Sequence, residues 1–277
     1  MMLAQQITTI GHRVHRDLAG FGRFTHFCLS TAGWTIRGAG GYGRMKLLIP
    51  QLFQVGTMSI PVVALVGAFV GAVLGVEMFE QFKAIGQETR LGGVIHISVV
   101  KQIGPVLAAV MIAGRVGGAV SAELGSMRVT EQLDALRVMG SDPIRHLVVP
   151  RVLACLIMVP VLTVFSDLLG IFGSWLVVVK GFGVDPEEYW KFSSQFVGNW
   201  DVFTGLVKSV FFGLGIGLIS CYKGFNCGTG ASGVGRAATE SFVISFIVII
   251  VTNFFLAKFM NDMYAVLFGS STLNAIG

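Results

Sequence analysis

The sequence predicts an all-α integral membrane protein with five transmembrane helices, an N-terminal interfacial amphipathic helix and a short helix between the second and third spans. Three observations support this fold class: 53% of the 277 residues are hydrophobic, only 13% are charged, and the apolar residues fall into five long runs. Ordinary soluble domains carry about 25% charged residues. The composition therefore excludes a water-soluble enzyme, a disordered chain and a nucleic-acid-binding module.

Residues 1–46 form the first predicted unit, an amphipathic segment that does not cross the membrane. Apolar side chains recur at helical spacing with arginines between them, which is typical of a helix that lies in the membrane interface. The apolar positions are Leu3, Ile7, Ile10, Val14, Leu18 and Phe21, and the arginines are Arg13, Arg16 and Arg23. Four glycines between residues 38 and 43 then end the pattern.

Residues 47–268 form the predicted five-helix domain, and residues 269–277 form a C-terminal tail. The run 47–76 contains no charged residue, and its 30 residues exceed the number needed to cross a bilayer as a helix, which is roughly 20. The predicted spans are residues 50–78, 93–122, 148–179, 203–222 and 240–266.

The distribution of Lys and Arg predicts how these spans are oriented. Twelve basic residues lie in the N-terminal region and in the loops on its side, against four in the opposite loops. Cytoplasmic loops of membrane proteins collect Lys and Arg. We therefore expect a bacterial-type inner-membrane protein with a cytoplasmic N-terminus and a periplasmic C-terminus.

The most polar internal stretch, residues 123–147, contains a predicted short helix from Val129 to Met139. Such a helix either rests on the membrane or inserts its apolar face into a groove on a soluble partner, and the residues alone favour neither. The apolar face consists of Leu133, Leu136 and Met139, and the end of the helix is marked by Gly140 as C-cap and by Pro143.

The sequence contains partial matches to catalytic and nucleotide-binding motifs, but each match lacks the structural context or the partner motifs that it needs. Gly228-x-Gly230-x-x-Gly233 matches a dinucleotide fingerprint by letter, but no predicted strand precedes it, so we interpret it as a turn before the fifth span. Ser98-x-x-Lys101 matches an acyl-enzyme motif but lies within a span and lacks the partner motifs. The sequence contains neither H-E-x-x-H nor G-x-x-x-x-G-K-S/T. We expect no catalytic residue, no metal site and no cofactor in this chain, so any ATP dependence requires a partner.

The run AGRVGGAVSAELGSMRVTEQLDALRVMGSDP (residues 113–143) resembles the signature of the MlaE/YrbE-type ABC transporter permeases, which are membrane subunits of MCE-associated lipid transport systems. The resemblance covers most of residues 45–265 and includes Gln54-Val55-Gly56, Gly104-Pro105-Val106 and the run GASGVGRAAT at 230–239. It implies a homodimeric permease for phospholipid, with the lipid cavity between the protomers.

The resemblance also implies partners. A separate ATPase would bind ATP and Mg and would attach to a cytoplasmic coupling helix at about 127–140, and an MCE-domain substrate-binding protein would exchange lipid on the opposite face. Such systems are associated with outer membrane lipid asymmetry. The implied coupling residues are Arg128, Glu131, Gln132, Asp134, Leu136, Arg137 and Met139.

The lipid site implied by the resemblance has an apolar and a polar part. Leu74, Met78 and Phe82 would line the acyl chains; their four-residue spacing places them on one helical face, a stripe that by itself also fits ordinary packing. Lys101 and Gln102 would lie near the polar end. Members of the family often carry an acidic residue where this chain has Gln102, a departure that argues against a charge pair there. Lys101 suits a phosphate, because an ammonium at membrane depth needs an anion or a watery cavity.

Two alternatives stay open on the sequence alone. An ion-coupled secondary transporter of an amphipathic substrate would use Asp167, Lys208 or Lys258. An intramembrane enzyme would need a nucleophile and a base, and no such set is visible. Arg115, Glu123 and Asp167 are expected to pack against neighbouring polar groups inside the bundle, because charges within a membrane are costly when unpaired.

Overall fold

The described chain is built from helices, which confirms the predicted fold class. The computed structural model describes the backbone of residues 2–37 and 43–269, with the side chains of residues 19–37, 45–267 and 269. None of these residues forms a β-strand. The α-helices are α1 (Met2–Arg37), α2 (Gly43–Val55), α3 (Ile60–Ala84), α4 (Leu91–Ser98), α5 (Gly104–Ile112), α6 (Gly118–Val129), α7 (Gln132–Val138), α8 (Val149–Trp175), α9 (Pro186–Phe196), α10 (Asn199–Phe225) and α11 (Gly230–Phe268). Apart from residue 269, the expected C-terminal tail lies outside the described residues.

Five helical stretches within the described ranges are long and apolar enough to cross a membrane. Each contains one of the five predicted spans, so their number and order are confirmed. The stretches are 27 to 42 residues long, because the helices continue beyond their apolar centres into polar residues. They are Met45–Ala84, Glu88–Val129, Ile144–Gly181, Asn199–Phe225 and Gly230–Leu267.

The second and third spans are irregular helices. Four π-helical segments occur in the part of the chain that the structure describes: Val99–Ile103, Ala113–Gly117, Ile144–Val148 and Leu176–Gly181. A π-turn widens the helix by one residue, which changes the face on which the following side chains lie, and such turns are frequent at functional sites. The apolar periodicity of the sequence did not indicate these segments.

The first and third spans pack closely along small residues of α3 and α8. A Cβ atom added to Gly71 would overlap the carbonyl group of Gly170, and one added to Gly173 would overlap that of Ala68. Only glycine allows the two backbones to approach this closely. The glycines of the first span are therefore packing residues.

Helix α1 packs against the third and fourth spans near one end of the bundle. Phe24 and Phe27 pack edge-to-face on Tyr222 of α10, with ring centroids 5.1 and 5.6 Å apart. The Arg145 guanidinium lies 5.4 Å from the ring centroid of Trp34. Of the predicted amphipathic positions, Phe21 is 70% exposed and Arg23 is exposed. The others, Leu3, Ile7, Ile10, Arg13, Val14, Arg16 and Leu18, lie outside the described side chains.

Charged groups at the same end of the bundle are paired with neighbouring helices, as expected. Arg151 is buried, and its Nη2 atom lies 2.7 Å from Glu123 Oε1, which joins the third span to the second. The Arg115 Nη1 group donates to Ser59 Oγ at 2.6 Å. Arg115 and Glu123 therefore have different partners.

Helix α9 lies at the opposite end of the bundle. Asp185 caps it, because its Oδ1 atom accepts hydrogen bonds from the amides of Glu187 and Glu188 at 2.7 and 3.2 Å. The helix is anchored by buried Tyr189, whose hydroxyl lies 3.0 Å from His96 Nε2 and 3.2 Å from the Oγ atom of Ser174. Burial raises the pKa of Tyr189, although the bond to Ser174 acts in the opposite direction.

Candidate functional site

A cluster of four polar side chains lies between the second and fourth spans, in the half of the bundle that carries α9. The Lys101 Nζ atom forms an ion pair with Asp201 Oδ1 at 3.1 Å. The Lys208 ammonium donates to Gln102 Oε1 at 2.6 Å and to the Lys101 carbonyl at 3.1 Å. Lys208 is fully buried, whereas the Lys101 side chain is 27% exposed. These four side chains carry two ammonium groups and one carboxylate, so the cluster favours an additional anionic group.

Helix geometry explains why the buried ammonium finds its acceptors here. Lys101 and Gln102 belong to the π segment Val99–Ile103. Pro105 follows, and because proline has no N–H it cannot supply the amide that an α-helix would direct at the Lys101 carbonyl, four residues earlier. Lys208 donates to that carbonyl. An irregular turn in the second span thus provides the backbone acceptor for a lysine of the fourth.

Close approaches bring two other helices to this segment. A Cβ atom on Gly205 would overlap the Val100 carbonyl, so glycine allows α10 to approach the π segment. On α8, the Asp167 carboxylate fills the space that a side chain at Gly104 would occupy. Asp167 therefore packs inside the bundle as expected, but its buried Oδ1 atom lacks the hydroxyl or basic partner that we expected.

The apolar residues assigned to the lipid site lie in a neighbouring cluster. Leu74, Met78 and Phe82 are partly buried on α3 and pack against a group of buried side chains. One of these, Val99, begins the π segment that carries Lys101. Lys208 therefore contacts the Lys101 carbonyl and the Gln102 side chain, whereas the Lys101 ammonium pairs with Asp201. The three apolar side chains pack in the cluster next to this π segment. The buried members of the cluster are Phe79, Leu91, Ile95, Val99, Val178, Val179, Val184 and Tyr189.

Two members of the polar cluster were missed as site residues by the sequence analysis. Lys208 was considered only for the ion-coupled alternative, and Asp201 was not singled out. The two residues are seven positions apart on α10, hence on one helical face, with Gly205 between them. An acidic and a basic residue at this spacing, with a glycine between them, are the pattern in the sequence that could have indicated these two site residues.

The connection between the second and third spans contains the predicted short helix in modified form. Helix α6 continues to Val129, and Glu131 adopts a left-handed conformation with φ +58° before α7 begins at Gln132. The helix thus starts three residues later than expected, because a turn precedes it. Gly140 has φ +76°, and its amide donates to the Arg137 carbonyl at 3.0 Å, which confirms the predicted C-cap.

Helix α7 presents an exposed surface with charges of both signs. On its predicted apolar face, Leu133 is buried, Leu136 is half-buried and Met139 is 71% exposed. Arg137 Nη1 and Asp134 Oδ1 form an ion pair at 2.8 Å, and both side chains are more than half exposed. The remaining predicted coupling residues are Glu131 and Gln132, which are exposed, and Arg128, whose Nη1 group donates to the Phe225 carbonyl.

Five helical stretches long and apolar enough to cross a membrane define a multi-pass membrane protein. The chain belongs to the MlaE permease family, because the family model described as "Permease MlaE" matches residues 48–259. This finding confirms the resemblance carried by residues 113–143.

Individual relatives agree with this assignment. A "Probable ABC transporter permease protein" of Rickettsia bellii is 39% identical over 257 residues, which cover 93% of this chain and 98% of the relative. The "Intermembrane phospholipid transport system permease protein MlaE" of Haemophilus influenzae is 34% identical over 77% of this chain and 82% of that protein. "Protein TRIGALACTOSYLDIACYLGLYCEROL 1, chloroplastic" of Arabidopsis thaliana is 34% identical over 76% of this chain and 60% of that protein.

Proposed function

We propose that this chain is the inner-membrane permease subunit of an ATP-driven phospholipid transporter. The observation that carries the proposal is its membership of the MlaE permease family, together with the 34% identical Haemophilus relative named as a phospholipid transport permease. In this proposal ATP and Mg bind to a partner ATPase, and an MCE-domain protein exchanges lipid at the α9 end. The chain itself binds and moves lipid without making or breaking covalent bonds.

The polar cluster supports a phospholipid as the substrate. Lys101 is the phosphate partner in this proposal, because its ammonium is partly exposed and, among the described side chains, only one carboxylate, that of Asp201, pairs with it. Lys208 and Gln102 hold each other and keep the π segment in place. The acyl chains would lie along the neighbouring apolar stripe of Leu74, Met78 and Phe82.

A second copy of the chain would complete the lipid cavity. Helix α3 uses its glycine face against α8 and exposes a stripe of large apolar side chains on its other side. Such a stripe suits either lipid or another apolar helix. We assign it to the partner protomer, so that the lipid residues of the first span lie next to the dimer interface. The stripe consists of Val62, Leu65, Phe69, Val73 and Val76.

Photocrosslinking tests the lipid site. A photoreactive residue at position 74, 78 or 82 should capture phospholipid in an amount that changes when the assembled transporter receives ATP. The control position is Leu168 on α8, which is 58% exposed and should capture bilayer lipid regardless of ATP. If the amount of captured lipid is independent of ATP at all four positions, the crosslinks report only bulk-bilayer contact and the site is refuted.

Charge reversal tests the coupling role of α7. Glu131→Lys together with Asp134→Lys should abolish pull-down of the ATPase, because both side chains are exposed on the surface proposed to dock. Loss of the exposed Asp134–Arg137 pair costs the fold only about 0–1 kcal/mol, so membrane insertion should persist. The matched control reverses Glu187 and Glu188, two exposed carboxylates on α9 at the other end of the bundle. Equal pull-down by both double variants would contradict the coupling assignment.

One observation favours the ion-coupled alternative. The Asp167 Oδ1 atom is buried in the third span without a hydrogen-bond partner, and unpaired carboxylates within membranes often mark ion pathways. Lipid transfer by proteoliposomes distinguishes the two mechanisms. Transfer that needs the ATPase and ATP supports the proposal, whereas transfer driven by an ion gradient without ATP, and abolished by Asp167→Asn, supports the alternative.

A further inference from the structure

A polar cavity of about 540 Å³ lies between α1, α7 and the C-terminal end of α10. This volume is in the range of about 300–1,000 Å³ that is typical of small-molecule sites. The cavity is at the opposite end of the bundle from the Lys101–Lys208 cluster, so it is separate from the proposed transport site, although Arg128, Asp134 and Arg137 also belong to the surface proposed to dock the ATPase. Its charged or titratable lining residues are Arg23, His26, Arg128, Asp134, Arg137, Asp142 and Tyr222.

The carboxylates of this cavity already have partners within the protein. Asp134 pairs with Arg137 at 2.8 Å, and Asp142 Oδ1 accepts a hydrogen bond from the Ile144 amide at 2.9 Å.

Two arginines of the cavity have no acidic partner within the described part of the chain. Arg128 donates to the carbonyl of Phe225, which does not neutralise its charge. Arg23 has no hydrogen bond or ion pair among the side chains that the structure describes. A guanidinium group binds phosphate through parallel N–H groups. Arg23 and Arg128 are therefore available for a phosphate.

An apolar cleft of about 520 Å³ adjoins the polar cavity, and Tyr222 lines both. Its walls include Phe21 and Phe24 of α1 and Leu214 and Leu218 of α10. Amphipathic helices such as α1 lie at the boundary between headgroups and acyl chains. The two cavities therefore follow the polarity of a phospholipid, with a charged end and an apolar end.

We propose that this pair of cavities binds an anionic phospholipid from the leaflet on the α1 side. Its phosphate lies between Arg23 and Arg128, and an acyl chain follows the cleft past Tyr222. Basic pockets between membrane helices on the cytoplasmic side bind anionic headgroups in this way. The lipid joins α1 to α7 and α10 as a resident ligand, so the inference does not depend on the proposed transport function.

Lipid titration tests this site. The full-length protein, purified in neutral detergent, is titrated with phosphatidylglycerol or phosphatidylcholine, and binding is followed by native mass spectrometry and by the shift in Tm. The wild-type protein should prefer phosphatidylglycerol. Arg23→Gln should weaken phosphatidylglycerol binding about fivefold, because one arginine near an anionic headgroup contributes about 1 kcal/mol. Arg23→Lys keeps the charge and should give an intermediate preference.

The matched control is Arg145→Gln. Arg145 is an exposed arginine at the same end of the bundle that packs on Trp34 and does not line the cavity, so its replacement should leave the lipid preference unchanged. Equal wild-type affinity for both lipids, or an unchanged preference in Arg23→Gln, would overturn the proposal. A Tm shift reproduced by inorganic phosphate alone would assign the cavity to a free anion instead. Loss of ATPase pull-down in Arg23→Gln with the lipid preference intact would assign it to protein docking.

Discussion

Replacing Lys208 with methionine removes the ammonium group that joins the second and fourth spans and keeps a side chain of similar length. Lys208 is fully buried and donates to Gln102 at 2.6 Å and to the Lys101 carbonyl at 3.1 Å. Methionine has no donor, so both oxygen acceptors lose this hydrogen bond in a partly buried position. The variant therefore measures how much this contact between two spans contributes to stability.

The change in the free energy of unfolding is the difference between the cost of losing two hydrogen bonds and the gain from no longer burying an ammonium. An acceptor left unsatisfied costs about 1–3 kcal/mol, so two acceptors set an upper limit of about 6 kcal/mol. Hydrogen bonds between membrane helices average only about 0.6 kcal/mol and reach about 1.7 kcal/mol. Methionine also removes the cost of burying an ammonium. We expect Lys208→Met to lower the free energy of unfolding by about 2 kcal/mol, which lies between the sum of two average interhelical bonds (about 1.2 kcal/mol) and the sum of two of the strongest (about 3.4 kcal/mol).

Unfolding of the full-length protein by SDS in mixed micelles measures this change. A double-mutant cycle with Gln102→Leu isolates the shorter of the two hydrogen bonds and should give a coupling energy of about 1 kcal/mol. The matched control is Lys223→Met on the same helix. Lys223 pairs with Glu240 at 2.8 Å, but the two side chains are 25% and 48% exposed. An exposed pair contributes only about 0–1 kcal/mol.

Two results would refute this reasoning. If Lys208→Met and Lys223→Met lower the free energy of unfolding equally, burial does not strengthen the interaction of Lys208. If the Lys208–Gln102 coupling energy lies below about 0.3 kcal/mol, the two side chains act independently. In either case the contact would not account for the approach of the second and fourth spans.

The remaining predictions concern orientation and assembly, both in a background without the four native cysteines. Gln87→Cys and Glu187→Cys, at the α9 end, should react with a membrane-impermeant thiol reagent in intact cells, whereas Thr229→Cys should react only after lysis; the reverse pattern would invert the proposed orientation. Phe69→Cys, on the exposed stripe of α3, should form disulfide-linked dimers, and Phe172→Cys, a similarly exposed position on α8, should not. Crosslinks at Phe172 alone would place the dimer interface on another face.

The sequence by itself determined the features that follow from local rules. The five spans could be predicted because a bilayer requires long apolar runs in helical form. The end of α7 was equally predictable, since Gly140 supplies the left-handed residue that a C-cap needs. Residues 113–143 indicated the family without any tertiary information. Lys101 and Gln102 were identified as site residues only through that resemblance.

Only the tertiary structure decided which groups meet across the bundle. Lys208 and Gln102 are 106 positions apart, and Arg151 and Glu123 are 28 apart, so no local pattern links them. The π segment at Val99–Ile103 was also not predicted, because π-turns are rare single turns within α-helices and the apolar periodicity does not indicate them. These contacts depend on how closely the helices approach each other. Glycines permit the close approach, and the packing of all five spans determines which helices are neighbours. The buried Lys208 ammonium therefore donates to the acceptors that this packing brings close to it, because an unpaired buried charge costs more free energy than local conformational preferences contribute.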